Sequence, residues 1–212
     1  METCPLCSAL SIQHYHSDKK RDYLQCQECQ LVFVPRQQRL NADAEKEIYD
    51  LHLNDPNDSG YRRFLSRIVS PLAQRISPQS KGLDFGCGPG PTLSLMFEEQ
   101  GHLMSLYDLY YYPELSVLNY QYDFITATEV IEHLYEPNTV WQQWLSLLKP
   151  SGWLGLMTKL VIDVEAFANW HYKNDQTHVV FFSRATFIYL AQRDNLEIEF
   201  IGNDVILLRK LT

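Results

Sequence analysis

Apolar positions change their spacing along this chain. In the first forty residues they fall in short runs: the alternating stretch Ser11-Ile12-Gln13-His14-Tyr15-His16, then Tyr23-Leu24-Gln25, then Leu31-Val32-Phe33-Val34 closed by Pro35. Period-two runs broken by turn residues predict short strands. Over residues 41–80 the spacing is helical. Residues 43–52 read as a helix, 54–60 as a loop dense in Asn, Asp, Pro and Gly, and 61–75 as an amphipathic helix with Phe64, Leu65, Ile68, Val69 and Leu72 inward. From Lys81 onward, short apolar strands alternate with helices. One strand ends at Asp84, residues 91–100 form a helix stopped by Gly101, and a second strand covers 103–108. That alternation predicts an α/β sheet.

With 212 residues, 45% hydrophobic and 21% charged, the chain suffices for one medium domain and a small appendage. The net charge of -8 opposes binding nucleic acid through phosphate neutralisation. The charge is unevenly placed: residues 1–40 carry +1 and the rest -9. Apolar stretches such as residues 153–157 are too short to cross a bilayer, and the start has no charged and apolar leader pattern, so no membrane contact and a cytoplasmic location are expected.

Four of the five cysteines lie in the first thirty residues, as Cys4-Pro5-Leu6-Cys7 and Cys26-Gln27-Glu28-Cys29. Two such pairs present four thiolates at the spacing of a tetrahedral zinc site, each pair forming a knuckle. Short strands around two knuckles describe a zinc ribbon, and four thiolates leave no open coordination position, so the ion is expected to be structural. His14 and His16 are then solvated strand residues. Lys19-Lys20-Arg21 gives the ribbon its basic face, read as a solvated hairpin tip.

Residues 82–90 read Gly-Leu-Asp-Phe-Gly-Cys-Gly-Pro-Gly. Glycines let backbone pass close to a ligand, and a helix follows. A dinucleotide fingerprint fails because Pro91 stands where its third glycine belongs, and no Lys-Ser or Lys-Thr follows for a phosphate loop.

With its acid and three glycines after a strand, this segment resembles the first motif of the class I S-adenosylmethionine-dependent methyltransferases. The resemblance covers residues 60–212. It continues in the strand ending at Asp108, in Tyr122-Asp123-Phe124-Ile125-Thr126-Ala127-Thr128-Glu129-Val130-Ile131-Glu132-His133-Leu134, in Leu147-Leu148-Lys149-Pro150-Ser151-Gly152-Trp153-Leu154, and in a final hairpin around Gly202-Asn203-Asp204. The resemblance implies a Rossmann-like sheet and a cofactor held by Asp84, Gly86, Cys87, Gly88, Gly90, Asp108, Thr128 and Glu129, with Asp108 on the ribose. Cys87 is read as a small loop residue, since methyl transfer is an in-line displacement that needs no covalent nucleophile. Only residues 109–121 separate the second strand from Tyr122, too few for helix, strand and helix, so the third strand of the family is expected to be missing. Tyr110-Tyr111-Tyr112 offers an aromatic wall for adenine, or else a surface loop.

Glu129 is expected to open a helix that places Glu132 and His133 on one face. Two readings of that segment stand. In one, Glu129 lines the cofactor pocket and His133 bonds locally. In the other, Glu129, Glu132, His133 and His178 hold a catalytic divalent metal: the segment resembles the Glu-x-x-Glu-His of ubiquinone-biosynthesis O-methyltransferases and small-RNA terminal 2′-O-methyltransferases, and Thr177-His178-Val179-Val180-Phe181-Phe182-Ser183 resembles the latter's second histidine stretch. Residues 170–178 form a polar, aromatic loop before a helix that Ser183 caps, at the carboxyl edge where α/β ligands bind. His133, His171 and His178 are thus candidate general bases. Tyr49, Tyr61 and Arg62 are a candidate lid. The expected organisation is a ribbon over 1–40, a helical linker or lid over 41–80 and the methyltransferase domain over 81–212. The expected acceptor is a small molecule methylated at oxygen or carbon. An RNA methyltransferase with the ribbon reading substrate, and a non-catalytic cofactor-binding adaptor, are the alternatives. The sequence leaves the oligomeric state open.

Overall fold

The alternating runs at the start fold as three strands, β1 (Ile12–Ser17), β2 (Asp22–Cys26) and β3 (Val32–Phe33). The computed structural model describes residues 2–49 and 55–211. Next come α1 (Ala42–Tyr49) and α2 (Ser59–Ala73), started by Asp58, whose carboxylate accepts from the N–H groups of Gly60 and Tyr61 at 2.7 and 3.2 Å. The end of the helix expected over 43–52 and the side chain of the lid candidate Tyr49 lie outside the described residues. As the periodicity predicts, Leu65, Ile68, Val69 and Leu72 of α2 are buried. They pack where Gly155 lets the helix approach the sheet, since a Cβ there would stand 2.9 Å from Leu72 Cδ2.

The α/β part comprises β4 (Lys81–Phe85), α3 (Thr92–Glu98), β5 (Leu103–Tyr107), β6 (Tyr122–Thr128), α4 (Pro137–Leu147) and β7 (Leu148–Met157). It continues with α5 (Val164–Ala168), β8 (Val180–Phe181), α6 (Arg184–Arg193), β9 (Leu196–Ile201) and β10 (Val205–Lys210). Six strands form one sheet in the order β5-β4-β6-β7-β10-β9. The first four run parallel, and β10 is antiparallel to both its neighbours. Among the described residues β5 is the sheet edge, and residues 109–121 supply only the short turn Leu115–Asn119, so the expected loss of the third strand holds. Ser183 caps α6 as expected, within a reciprocal capping box with Thr186.

The ribbon is bonded into the rest of the molecule. β3 pairs antiparallel with β8, Val32 opposite Phe181 and Phe33 opposite Val180, so its sheet runs β1-β2-β3-β8. Cys4, Leu6, Cys29, Leu31 and Phe33 share one apolar cluster with Trp141, Trp144, Phe182, Phe187 and Leu190. The hairpin tip departs from its expected solvated state. Lys19 and Lys20 lie at the surface, but Arg21 is only 5% exposed. It turns inward because converging backbone carbonyls of residues 173–178 accept its N–H groups, which compensates the desolvation of the charge.

Candidate active site

β4 delivers Asp84 into the interior, where its carboxylate accepts from Ser94 Oγ at 3.1 Å and Thr126 Oγ1 at 3.0 Å. Burial, with the charge of Asp108 adding to it, pushes Asp84 up to about 6. The chain then turns through Gly86 and Gly88, both at positive φ. At Gly86 a Cβ would meet Val130 Cγ2 at 2.4 Å, so glycine is required by packing as well as by conformation. Asp108, at the end of β5, fastens this loop. Its Oδ2 accepts from the N–H of Gly88 at 3.0 Å, and its Oδ1 from those of Tyr110 and Tyr111 at 2.9 and 3.1 Å. Lys46 of α1 stands 6.0 Å from the ring centroids of both tyrosines. Cys87 is buried, and burial with the charges of Asp84 and Asp108 raises its thiol, which suits a loop residue and opposes a thiolate nucleophile.

Beyond β6 the chain differs from the expected helix. Glu129 adopts φ 53° and donates its N–H to Met157 O at 2.8 Å, and a single short turn, Ile131–His133, follows. A left-handed residue cannot start a right-handed helix. The turn instead swings Glu132 into the interior at 1% exposure. Glu129 and Glu132 still meet, through Tyr172: its hydroxyl donates to Glu132 Oε1 and lies 3.2 Å from Glu129 Oε2. Burial and then the charge of Glu129 push Glu132 up to about 8.

The histidines separate into two groups. His133 Nδ1 faces Thr177 O at 3.2 Å and His178 Nδ1 faces Tyr172 O at 2.7 Å. A carbonyl only accepts, so each Nδ1 carries hydrogen, and in the neutral rings Nε2 carries the lone pair. Burial lowers the pKa of His178. The rings stand edge to face with centroids 4.7 Å apart, and ligand atoms of Glu132, His133 and His178 all lie within 4.8 Å of one another. Glu129 stands outside that group. His171 is exposed and accepts from Lys159 Nζ at 3.1 Å.

In the ribbon, Sγ of Cys4 and Cys29 are 3.5 Å apart, as are those of Cys7 and Cys26, and no cysteine is in a disulfide. The four sulfurs lie within 4.8 Å of one another. Each knuckle closes alike. Ser8 and Gln30 take positive φ and donate their N–H to Cys4 O and Cys26 O at 3.0 Å.

The sequence did not single out Tyr172, which joins the two glutamates, or Lys159, whose ammonium stands 5.2 Å from the Tyr172 ring. Each carried one signal: Lys159 follows β7 directly at the ligand edge of the sheet, and Tyr172 sits in the aromatic loop. Of the lid candidates, Tyr61 is pushed up to about 12 by burial and the charges of Asp84 and Glu129, whereas Arg62 pairs with Glu99.

A mostly parallel sheet in this strand order, a glycine loop fastened to an acid at the end of the second parallel strand, and polar side chains at the carboxyl edge define a Rossmann-like S-adenosylmethionine-dependent methyltransferase. The chain belongs to the methyltransferase-domain family, whose model matches residues 58–199. No curated protein sequence matches it. Among solved structures, it resembles a Burkholderia thailandensis 1,6-didemethyltoxoflavin-N1-methyltransferase with bound 1,6-didemethyltoxoflavin and S-adenosylhomocysteine at 14% identity and TM-score 0.55, over 94% of this chain and 100% of that one. An O-methyltransferase family protein from the same organism gives 11% identity and TM-score 0.57, over 81% of this chain and 60% of that one. A Pyrococcus horikoshii protein gives 18% and 0.51, over 78% and 99%. The protein is an S-adenosylmethionine-dependent methyltransferase of α/β fold, and among the described residues no helix is long and apolar enough to cross a membrane.

Proposed function

We propose that this enzyme methylates an oxygen of a small acceptor that presents two neighbouring oxygens to a divalent cation held by Glu132, His133 and His178. One observation carries the reading: Glu132 Oε2 is buried without a hydrogen-bond partner, on a carboxylate that has an oxygen within 4.8 Å of a ring nitrogen of both His133 and His178. A buried carboxylate oxygen with no donor is costly, and a dication offsets that cost. The backbone carbonyls on both Nδ1 atoms do what outer-shell partners of ligating histidines do, fixing tautomer and ring orientation. Two imidazoles and one carboxylate suit Mg²⁺, Mn²⁺ or Fe²⁺. Bound there, such an ion supplies positive charge that lowers the pKa of an acceptor hydroxyl. In this reading His133 and His178 are ligands and not bases, Tyr172 holds Glu132 in place, and His171 with Lys159 forms the rim.

The cofactor is assigned to Asp84, Gly86, Cys87, Gly88, Gly90, Asp108, Thr128 and Glu129. Thr128 Oγ1 supports this: it is buried without a partner, on the same face of β6 as Thr126 and nearer the carboxyl edge. S-adenosylmethionine supplies the electrophilic methyl group. The protein's part is to fix the donor against the acceptor and exclude water. The four ribbon cysteines are assigned a structural zinc ion, and the chain is divided into ribbon (1–40), connector (41–80) and methyltransferase domain (81–212).

The test has three parts. Titration with Mn²⁺ followed by electron paramagnetic resonance should show one tight site per chain, lost in Glu132→Gln and His178→Ala. Labelled S-adenosylmethionine with a panel of vicinal-oxygen acceptors and RNA oligonucleotides should give turnover with the former that chelator abolishes and Mg²⁺ or Mn²⁺ restores. Absence of a Mn²⁺ site, or turnover unchanged in chelator, overturns the reading.

A further inference from the structure

Arg21 is the one basic residue of the ribbon tip that does not face solvent, and its guanidinium donates to four backbone carbonyls of the loop that carries Tyr172 and His178. Its Nη2 donates to the carbonyls of Lys173 at 2.5 Å and Asp175 at 2.9 Å, and its Nη1 to those of Gln176 at 3.1 Å and His178 at 2.9 Å. Four carbonyl dipoles converging on one point repel one another, and only the forked guanidinium satisfies all four. Further ties follow the same route. Tyr23 donates its hydroxyl to Asp18 at 2.8 Å, and the same carboxylate accepts from the buried Lys173 Nζ at 3.2 Å. Val34 N–H donates to Val179 O at 2.9 Å, and Val179 N–H to Glu132 O at 2.8 Å. The chain from Cys29 through Leu31 and β3 is therefore bonded to the residue beside His178, which is bonded in turn to Glu132.

We propose that Arg21 is a positioning residue for the acceptor side of the site, through which the cysteine ribbon holds Tyr172 and His178 in register with Glu132. The ribbon is then an internal strut of the methyltransferase. This rests on the assignment of Glu132, His133 and His178 to the acceptor side. A site of this kind needs its ligands held rigidly by the structure behind them. The cofactor loop, fastened through Asp108 on the far side of β4, has no bond to Arg21 and should be indifferent to it.

The experiment compares the full chain with Arg21→Met and Arg21→Lys. In Arg21→Met, amide hydrogen exchange of residues 171–179 should accelerate at least a hundredfold, while residues 82–90 and 103–107 exchange as in the parent. Affinity for S-adenosylhomocysteine should stay within threefold, Mn²⁺ affinity should fall at least tenfold, and the slowly exchanging Nδ1–H resonance of His178 should be lost. Arg21→Lys, which keeps the charge but not the fork, should fall between the two, and it carries the test if Arg21→Met does not fold. Unchanged exchange in residues 171–179 together with an unchanged His178 resonance overturns the proposal. A parent protein that binds no Mn²⁺ overturns the cation reading alone, because the exchange and imidazole signals are read without it.

Discussion

Glu132 sets the pH behaviour expected of the metal-free protein. An ordinary glutamate titrates near 4.3 in the unfolded chain, while burial and Glu129 push Glu132 up to about 8 in the folded one. Between those values the folded state binds the extra proton, so stability is fully present at low pH and falls as pH rises through the window, by at most about 1.4 kcal/mol per pH unit from this group. Asp84, pushed up to about 6, adds a slope of the same sign that ends earlier. Urea unfolding in chelator should therefore show stability still declining between pH 6 and 8. Glu132→Gln should flatten that part of the profile and leave below pH 6 only the slope that Asp84 contributes; a parent profile already flat above pH 6 would refute the assignment. Asp108 makes a second prediction at this scale. Replacement by Ala leaves the N–H groups of Gly88, Tyr110 and Tyr111 without their acceptor, and affinity for S-adenosylhomocysteine should drop at least tenfold by calorimetry. The sequence marks Asp108 through the family motif, but not its bonds to Gly88 and the tyrosines, which depend on a turn that no local pattern encodes.

Elements whose apolar period is long and regular were legible: α2 from its inward positions, the β9–β10 hairpin from its turn, and the missing third strand from the shortness of residues 109–121. The segment after β6 was not. Glu-Val-Ile-Glu-His has good helical spacing, yet the left-handed Glu129 and the contact between Gly86 and Val130 override it. Gly86 follows β4 and Val130 follows β6, so they meet only in three dimensions. Gly86→Ala tests them: the positive φ and the 2.4 Å approach to Val130 should together destabilise the protein by about 2–4 kcal/mol in urea unfolding. Combining it with Val130→Ala should recover the steric share but not the conformational one, and strict additivity of the two changes would show that the contact is not the cause.

At the scale of the whole molecule, cysteine spacing revealed the ribbon but not its bond to the other end of the sequence. The pairing of Val32 and Phe33 with Val180 and Phe181 joins strands well over a hundred residues apart, and short apolar runs give no sign of their distant partners. Tyr23, Leu31, Val32, Phe33 and Val34 are all fully buried. At about 1.5–3 kcal/mol for each large apolar side chain, their removal forfeits roughly 10 kcal/mol, comparable to the entire stability of a domain. A chain shortened to residues 41–212 keeps the family motifs yet should fail to give a cooperative thermal transition or bind S-adenosylhomocysteine. Cys29→Ser in the full chain, which removes one sulfur of the cluster, should lower the melting temperature and the zinc content together, because the knuckle that it closes leads directly into β3. If the shortened chain melts cooperatively and binds the cofactor product as the full chain does, the ribbon is an appendage after all, and its contacts with residues 173–182 support neither the fold nor the site.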